Sequence, residues 1–249
     1  MDVLGIEVDL ADLARWRDWL MPETQPFLID KDTARAQGLA EQPDRLTMEL
    51  RDSFEIYGEQ TDAICWLERD QAAALSKDVR RHQPTTHHWP SKNVDADIPR
   101  LVRYLEQGRR RSRHKEVSEE SWQRAARVLP GARRIAGCFP GRSGPNCFGA
   151  VMAAAGVPEA DQVWMLREPF EDWLTAGARR GGRDEHPGTV LVWRSWDGLV
   201  QHAAVTLGDG LALHKPSQGW QSPTKILHTD EVKLSARSRG HRLQRYSIA

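Results

Sequence analysis

The sequence predicts an α+β fold in which one helix packs on a small antiparallel sheet, preceded by an α-rich N-terminal region. A run of small apolar residues over 147–156 follows a turn rich in Gly and Pro and predicts that helix. Short apolar runs separated by the turn signals Asp197-Gly198 and Gly208-Asp209-Gly210 predict three strands in meander order. A helix followed by neighbouring antiparallel strands is an α+β arrangement.

The N-terminal region carries helix and strand signals of its own. Asp9 predicts the cap of a helix over 10–20, with Leu10, Leu13, Trp16 and Leu20 on one face. Further predicted elements are a short strand at 27–29, a buried strand at 63–67, helices over 69–81 and 97–111, and a helix capped by Ser118. We therefore divide the chain into an N-terminal region of unassigned role, 1–117, and a second domain, 118–249.

Charge and length limit the classes of partner. The chain has 249 residues, and its 35 basic and 35 acidic side chains balance, which gives no reason to expect a nucleic acid or an anionic membrane as partner. No apolar run is long enough to span a bilayer, and the first residues lack a secretion signal. We expect a cytoplasmic protein, with export by a route that does not read an N-terminal signal left open.

The cysteines and histidines argue against a metal centre. Three cysteines, Cys65, Cys138 and Cys147, cannot all pair within one chain, and their spacing fits no zinc site, so we expect a reducing compartment. The loop histidines at 82, 87 and 88 have no carboxylate or cysteine at ligand spacing. We expect neither a metal nor a cofactor. Cys138 is interpreted as a small buried residue, with a resolving thiol for Cys147 as the alternative.

Cys147 is the candidate nucleophile. It stands at the start of the predicted small-residue helix, directly after the turn Gly144-Pro145-Asn146. The first turn of a helix offers unpaired backbone N–H groups and the positive end of the helix dipole, and both favour a thiolate over a thiol. The same N–H groups are able to hold an oxyanion. A buried, inert core cysteine is the alternative.

A predicted hairpin supplies a base for this thiol. His202 opens one strand and His214 closes the next, and pairing about the turn at 208–210 brings the two close together. Positions 202 and 214 have the same parity, so their side chains point to one face. A cysteine, a histidine and a third polar group that fixes the imidazole tautomer form the catalytic set of thiol hydrolases. Gln218 and His228 are the other candidates for the third group.

These residues resemble the NlpC-type cell-wall endopeptidases of the papain-like cysteine peptidase group, over roughly 135–230. Cys147 at a helix start, the strand 188–193, His202 opening a strand that ends at Gly208, and His214 match the family in order and spacing. The resemblance implies a papain-like catalytic domain with Cys147 as nucleophile, His202 as base and His214 as orienting residue. It also implies peptidoglycan-type peptides as substrates.

The chain departs from the family pattern next to the nucleophile. Asn146 stands where the family usually has Asp, Phe148 where it usually has Ser, and Thr189 where an Asp is common. These changes leave the nucleophile and base in place and alter the lining of the groove, so the identity of the substrate stays open. Candidate substrate-binding residues are Asn146, Phe148, Trp193, Gln218 and Trp220. For the tryptophans, packing in the core is the alternative.

The function expected from this set is hydrolysis of an amide bond in a peptide or related substrate through a thioester. If an amine or alcohol displaces the thioester instead of water, the same site is an acyltransferase. A papain-like binding module without turnover is a second class of explanation, and an effector delivered to other cells is a third. The segment 215–223 is expected to border the substrate site, and the oligomeric state is open.

Overall fold

The computed structural model describes residues 1–58 and 60–248, which form two compact units. One comprises Met1 and Val8–Gln107, and the other comprises Asp2–Glu7 and 108–248. The sequence places the division at 117, whereas the structure places it after Gln107. The reason is that the basic segment after Gln107 bonds to the second unit, where Ser112 N donates to Leu4 O and Arg113 N to Ile226 O at 2.7 Å each.

The first unit combines helices with a two-stranded antiparallel ribbon. The chain starts with two short strands of the second unit, β1 (Asp2–Val3) and β2 (Ile6–Glu7). The elements of the first unit are α1 (Leu10–Leu20), β3 (Gln25–Ile29), α2 (Lys31–Ala36), a 3-10 turn (Pro43–Arg45), α3 (Met48–Phe54), β4 (Ala63–Leu67), α4 (Arg69–Ala74), α5 (Lys77–Arg81) and α6 (Val94–Glu106). The ribbon pairs β3 with β4.

Most predicted elements of this unit are confirmed, with three corrections. Asp9 caps α1, its carboxylate accepting from Asp12 N at 2.7 Å, but Leu10 is 77% exposed and does not share the buried face. The helix predicted over 69–81 is two helices, because Leu75 is extended and Ser76 caps a new start. The helix predicted over 97–111 instead spans Val94–Glu106, and Asn93 caps it.

The second unit contains the predicted helix and meander together with further strands. After a 3-10 turn (His114–Glu116), its elements are α7 (Glu119–Ala126), α8 (Ala132–Ile135), α9 (Cys147–Ala154), a 3-10 turn (Ala160–Gln162), α10 (Arg167–Gly177), β5 (Ala178–Arg180), β6 (Pro187–Arg194), β7 (Val200–Gly208), β8 (Leu211–His214), β9 (Lys225–His228), α11 (Thr229–Ser235) and β10 (Arg242–Ile248). Ser118 caps α7, as predicted.

One antiparallel sheet organises this unit. In the part of the chain that the structure describes, six strands follow the order β5-β10-β6-β7-β8-β9. The predicted meander β6-β7-β8 is therefore confirmed, and β10, near the end of the chain, lies between β5 and β6. Helix α9 packs on β7 and β8, and α11 contacts β8 and β9. The chain is a mixture of helix and antiparallel sheet, which confirms the α+β class.

The two faces of the sheet bury different side chains. Val190, Val192 and Val205 pack in the cluster that contains the residues of α9. Leu191, Trp193 and Ala204 pack with Val232 of α11. Alternation along β6 and β7 thus directs one set of residues to each helix. Within residues 1–58 and 60–248, no helix has the length and apolar character needed to cross a membrane.

Helix α9 makes a close backbone contact at Gly149. A Cβ at this position would lie 2.1 Å from the carbonyl oxygen of Ala160 and 3.6 Å from Cβ of Met165. Because the neighbour is backbone rather than the end of a flexible side chain, it cannot move aside without shifting the turn at 160–162. Glycine at 149 therefore allows this turn to lie directly against the first turn of α9.

Replacing Gly149 with alanine is expected to lower the free energy of unfolding of the second unit by about 2 kcal/mol, as for other overpacked sites. The clash outweighs the helix preference of alanine over glycine, which is worth about 1 kcal/mol. Gly141→Ala is the matched control, because a Cβ at 141 meets no atom within 4 Å. Denaturant titrations of the two variants test this, and equal midpoints would contradict it.

Candidate active site

Cys147 is the first residue of α9, and Asn146 caps the helix. The side-chain oxygen of Asn146 accepts from Gly149 N at 3.1 Å, and its Nδ2 donates to the carbonyl oxygen of Met165 at 2.7 Å. Both ends of this amide are therefore engaged in holding the helix start and the segment after the 160–162 turn. The predicted position of the cysteine is confirmed, and Asn146 acts in this structure as a cap.

The Cys147 thiol is buried, which reverses the expected electrostatics. Only 8% of the residue is exposed. Burial raises the pKa of Cys147 to about 11, although the backbone N–H groups of Ala203, Phe148 and Cys147 itself and the charge of Lys215 act in the opposite direction. The sequence predicts a thiolate favoured by the helix start. In the structure desolvation is the larger effect, and the resting group is a thiol.

His202 and His214 are in direct contact, as the hairpin predicts. Their Nε2 atoms lie 2.9 Å apart, and the rings meet edge to face at an interplanar angle of 86°. One Nε2 donates and the other accepts. Trp193, the cross-strand neighbour of His202, packs against it with ring centroids 5.5 Å apart.

A bulge precedes His202 in β7. The register shifts between the pairs Trp193–His202 and Arg194–Val200, which leaves Gln201 as the extra residue. Bulges bend a strand and re-aim side chains, and they are frequent beside active sites. Val200 and Ala203 consequently both pack in the cluster that contains α9, whereas the ring of His202 packs on Trp193, which belongs to the cluster on the α11 face.

Both imidazoles are neutral in the resting protein. Burial lowers the pKa of His202 to about 4. Burial, followed by repulsion from a protonated His202 and from Lys225, lowers the pKa of His214 well below its ordinary value of 6.5. The Nδ1 atom of His214 is buried and has no hydrogen-bond partner among the described residues. The two imidazoles thus share one hydrogen bond, and among the described residues Nδ1 of His214 has no partner.

The thiol lies beside the strand that carries His202. Helix α9 packs on β7, and the N–H of Ala203, the residue after His202, is among the groups that stabilise the Cys147 sulfur. The structure therefore brings Cys147 to the backbone of β7 at 203 and joins the two histidines to each other. His202, opposite Trp193, and His214 leave the face of the sheet that α11 covers, whereas Cys147 lies on the α9 face, so the structure does not bring the thiol and His202 into contact.

The predicted substrate-binding residues fall in different surroundings. Phe148 is buried and stacks on Phe170 with ring centroids 4.7 Å apart, and Trp220 is 0% exposed. Both are packing residues in this structure, with no free face for a substrate. Trp193 is buried against His202. Gln218 is partly exposed, and its carbonyl oxygen accepts from Gly144 N at 2.9 Å, which ties the 215–223 segment to the turn before Cys147.

The alternative third groups do not occupy the position of His214. His228 is exposed and caps α11 at the end of β9.

All three cysteines are free, and Cys138 is exposed rather than buried as expected. In the residues that the structure describes, no group of three or more His, Cys, Asp and Glu side chains is placed to hold a metal ion.

Two buried lysines near the site were not predicted. Lys215 donates from Nζ to Ser222 O at 2.6 Å and acts on the Cys147 thiol through its charge. Lys225 is the cross-strand partner of His214. The position of Lys215 directly after the apolar strand that ends at His214 is a sequence signal that could have identified it. The second depends on the pairing of β8 with β9, which the sequence did not indicate.

Acidification is expected to destabilise the second unit through the histidine pair. The pKa of His202 is about 4 in the folded chain against 6.5 ordinarily, so between these values only the unfolded chain binds the proton. The free energy of unfolding is then greatest above pH 6.5 and falls by about 3 kcal/mol as pH drops to 4, at 1.36 kcal/mol per pKa unit. Amide exchange of peptides from β7 and β8 measures it.

The double variant His202→Asn, His214→Asn is the comparison for this pH dependence. It keeps two polar side chains at the same places but removes the titrating rings. Its peptides should lose most of the change in protection between pH 6.5 and 4. An unchanged slope in the variant would assign the acid sensitivity to other groups.

Comparison of the chain with protein-family models, with curated proteins and with solved structures finds no match. The geometry of this site therefore carries the functional reasoning without support from relatives.

Proposed function

We propose that the second unit is a papain-like, NlpC-type cysteine hydrolase of amide bonds, with Cys147 as nucleophile, His202 as base and His214 as orienting residue. The observation that carries the proposal is the 2.9 Å contact between the Nε2 atoms of His202 and His214, on a sheet whose other face packs against the start of the Cys147 helix. Nucleophile, base and orienter are the three roles of thiol hydrolases.

The contact allows two assignments of the nitrogens of His202, and one of them suits a base. When Nε2 of His202 donates to Nε2 of His214, Nδ1 of His202 carries a lone pair. It accepts the proton of the thiol once movement of the bulged strand at 200–202 turns the ring to the face of the sheet that holds Cys147. Because burial disfavours both the thiolate and the imidazolium, the resting pair is neutral. The proton therefore moves to His202 as the sulfur attacks, rather than before the substrate binds.

The reaction then proceeds by acyl transfer. The Cys147 sulfur bonds to the substrate carbonyl carbon, and the backbone N–H groups at the start of α9 stabilise the oxyanion. His202 returns its proton to the leaving amine as the C–N bond breaks, which leaves a thioester on Cys147. Water, deprotonated by His202, attacks the thioester and releases the carboxylic acid and the thiol.

A binding module without turnover is the second candidate. The burial of Cys147, at 8% exposure, favours it, because a substrate carbonyl reaches this sulfur only after neighbouring groups move. The departures at 146 and 148 from the family pattern point the same way. An acyltransferase shares every step up to the thioester and differs only in the acceptor.

Peptide cleavage in ¹⁸O-labelled water tests the proposal. We expect the full chain to cleave at least one amide in a panel of short peptides that includes peptidoglycan stem peptides, with one ¹⁸O atom in each new carboxyl group. Added hydroxylamine should convert part of the product to the hydroxamate, which reports the thioester. A product that carries an added amine in place of ¹⁸O identifies acyl transfer.

Cys147→Ala and Gly141→Ala are the paired controls. The first should give no product and the second should cleave like the unmodified chain. Peptide binding without cleavage by the unmodified chain would replace the hydrolase with the binding module. Cleavage that persists in Cys147→Ala would exclude this cysteine as the nucleophile.

A further inference from the structure

A cavity of about 210 Å³ lies beside His214 within the second unit. His214, Lys225, Arg109, Arg110, Gln221 and Ser222 contribute to its lining, and Cys147 and His202 do not. The Nε2 atom of His214 faces His202, so Nδ1 is the ring nitrogen that His202 does not engage. The cavity is thus a site separate from the nucleophile and linked to His202 through the imidazole of His214.

The strand pairing places a cation next to His214. His214 of β8 and Lys225 of β9 are directly opposite in the antiparallel register, so their side chains leave the same face of the sheet. Both residues are buried, at 2% and 3% exposure. Lys225 donates from Nζ to Arg110 O at 2.9 Å, which uses one of the three hydrogens of its ammonium group.

The charge of Lys225 lacks compensation inside the cavity. Burial and the neighbouring guanidinium groups of Arg109 and Arg110 lower the pKa of Lys225 to about 8, and the carboxylate of Glu231, outside the lining, opposes them to a smaller extent. Among the described residues that line the cavity, none is Asp or Glu. Arg110 is paired with Glu231 outside this lining. An anion in the cavity would offset the desolvation of the ammonium.

Polar atoms in the lining also lack partners. Nδ1 of His214 and Oε1 of Gln221 are buried without a hydrogen bond among the described residues. Leaving a buried polar atom unpaired costs about 1–3 kcal/mol, so such atoms in a native structure usually face a ligand or ordered water. The cavity is large enough to hold ordered water or a small anion.

We propose that this cavity binds a small oxyanion, a carboxylate or a phosphate, which accepts hydrogen bonds from Nδ1–H of His214 and from the ammonium group of Lys225. The bound oxygen fixes the His214 tautomer that carries its proton on Nδ1. Nε2 of His214 is then the acceptor for Nε2–H of His202. His214 is thereby a positioning residue that the anion holds in one protonation pattern.

This tautomer is the one that the hydrolase needs, and this consequence rests on the function proposed above. With Nε2 of His202 protonated, its Nδ1 is the free base. Without an acceptor at Nδ1 of His214, the opposite tautomer is equally available, and Nδ1 of His202 then carries the proton and cannot accept another. The anion therefore acts as an activator of amide cleavage, bound next to the histidine pair rather than at the nucleophile.

Imidazole nitrogen NMR of the full ¹⁵N-labelled chain tests binding directly. Sodium phosphate and sodium acetate are titrated separately at pH 7.5, with sodium chloride keeping the ionic strength constant. We expect at least one of the two anions to move the Nδ1 signal of His214 toward the position of a protonated nitrogen, in a saturable way. Saturation by phosphate alone or by acetate alone identifies the class of oxyanion.

Three lysine variants give the controls. Lys225→Met should lower the affinity for the anion by about tenfold or more, which corresponds to the loss of one charge-assisted hydrogen bond. Lys225→Arg keeps the charge and should retain binding, and Lys115→Met removes an exposed lysine outside the cavity lining and should change nothing. Circular dichroism checks that each variant is folded.

The outcomes separate this inference from the proposed function. If the Nδ1 signal of His214 does not move with either anion, or moves by the same amount in Lys225→Met, the anion site is overturned and ordered water is the occupant. A saturable shift in a chain that cleaves no peptide supports the anion site and overturns the hydrolase. When peptide cleavage is present, its rate should rise with the same midpoint as the NMR signal.

Discussion

Replacing Cys147 with alanine is expected to lower kcat/KM for any peptide that the chain cleaves by about 10⁴-fold or more, as for other catalytic triads. His202→Ala should have an effect of similar size, because nucleophile and base act as one unit and neither works without the other. The double variant should be no slower than either single variant. The measurement is product formation by mass spectrometry at substrate concentrations well below KM.

The third residue gives a graded test within the same series. His214→Asn keeps an acceptor for Nε2–H of His202 and should retain more activity than His214→Leu, which leaves that donor without a partner. His228→Ala is the control, since His228 is exposed and caps α11. Equal rates for the asparagine and leucine variants would mean that His214 does not orient His202, and a large loss in His228→Ala would point to that residue.

Alkylation of the three cysteines is expected to rank them by burial rather than by proximity to a helix start. The pKa of Cys147 rises from 9.0 to about 11, which reduces its thiolate fraction at neutral pH by about 100-fold. Cys138, which is exposed, should therefore react with iodoacetamide first, and Cys147 should lag far behind it. The rate at Cys147 should increase about tenfold per pH unit up to pH 10.

Peptide mass spectrometry after timed quenching measures these rates, and the chain unfolded in denaturant provides the reference in which all three thiols react alike. Rapid labelling of Cys147 at pH 6 in the folded chain, lost in His202→Ala, would mean that the resting site holds a thiolate and an imidazolium. That result would contradict the neutral pair and restore the electrostatics expected from the helix start alone.

The parts of the site that could be predicted are those fixed by local signals. A Gly/Pro turn before a small-residue run placed Cys147 at the start of α9, and the turn at 208–210 set the hairpin register that joins His202 to His214. Asp9 and Ser118 revealed two helix starts for the same reason. Each of these depends on residues adjacent in sequence, where backbone preferences decide the outcome.

The parts that could not be predicted depend on contacts between distant segments. Burial of Cys147 and Trp220 follows from how the 160–162 turn and the 215–223 segment pack, which no local pattern specifies. The position of Lys225 opposite His214 depends on the pairing of β9 with β8. Polar residues alternate weakly in β10, so the sequence over 242–248 gave little strand signal, and its position between β5 and β6 needs the whole unit.

The position of β10 also bears on how the chain folds as it is synthesised. The hairpin of β6 and β7 is complete once residue 208 has left the ribosome, but the second neighbour of β6 spans Arg242–Ile248. Until then one side of β6 presents unpaired N–H and C=O groups, an edge that favours pairing with other chains. Nascent chains are therefore exposed to intermolecular strand exchange until residues 242–248 have emerged, and slow synthesis of the segment after residue 208 would prolong this exposure.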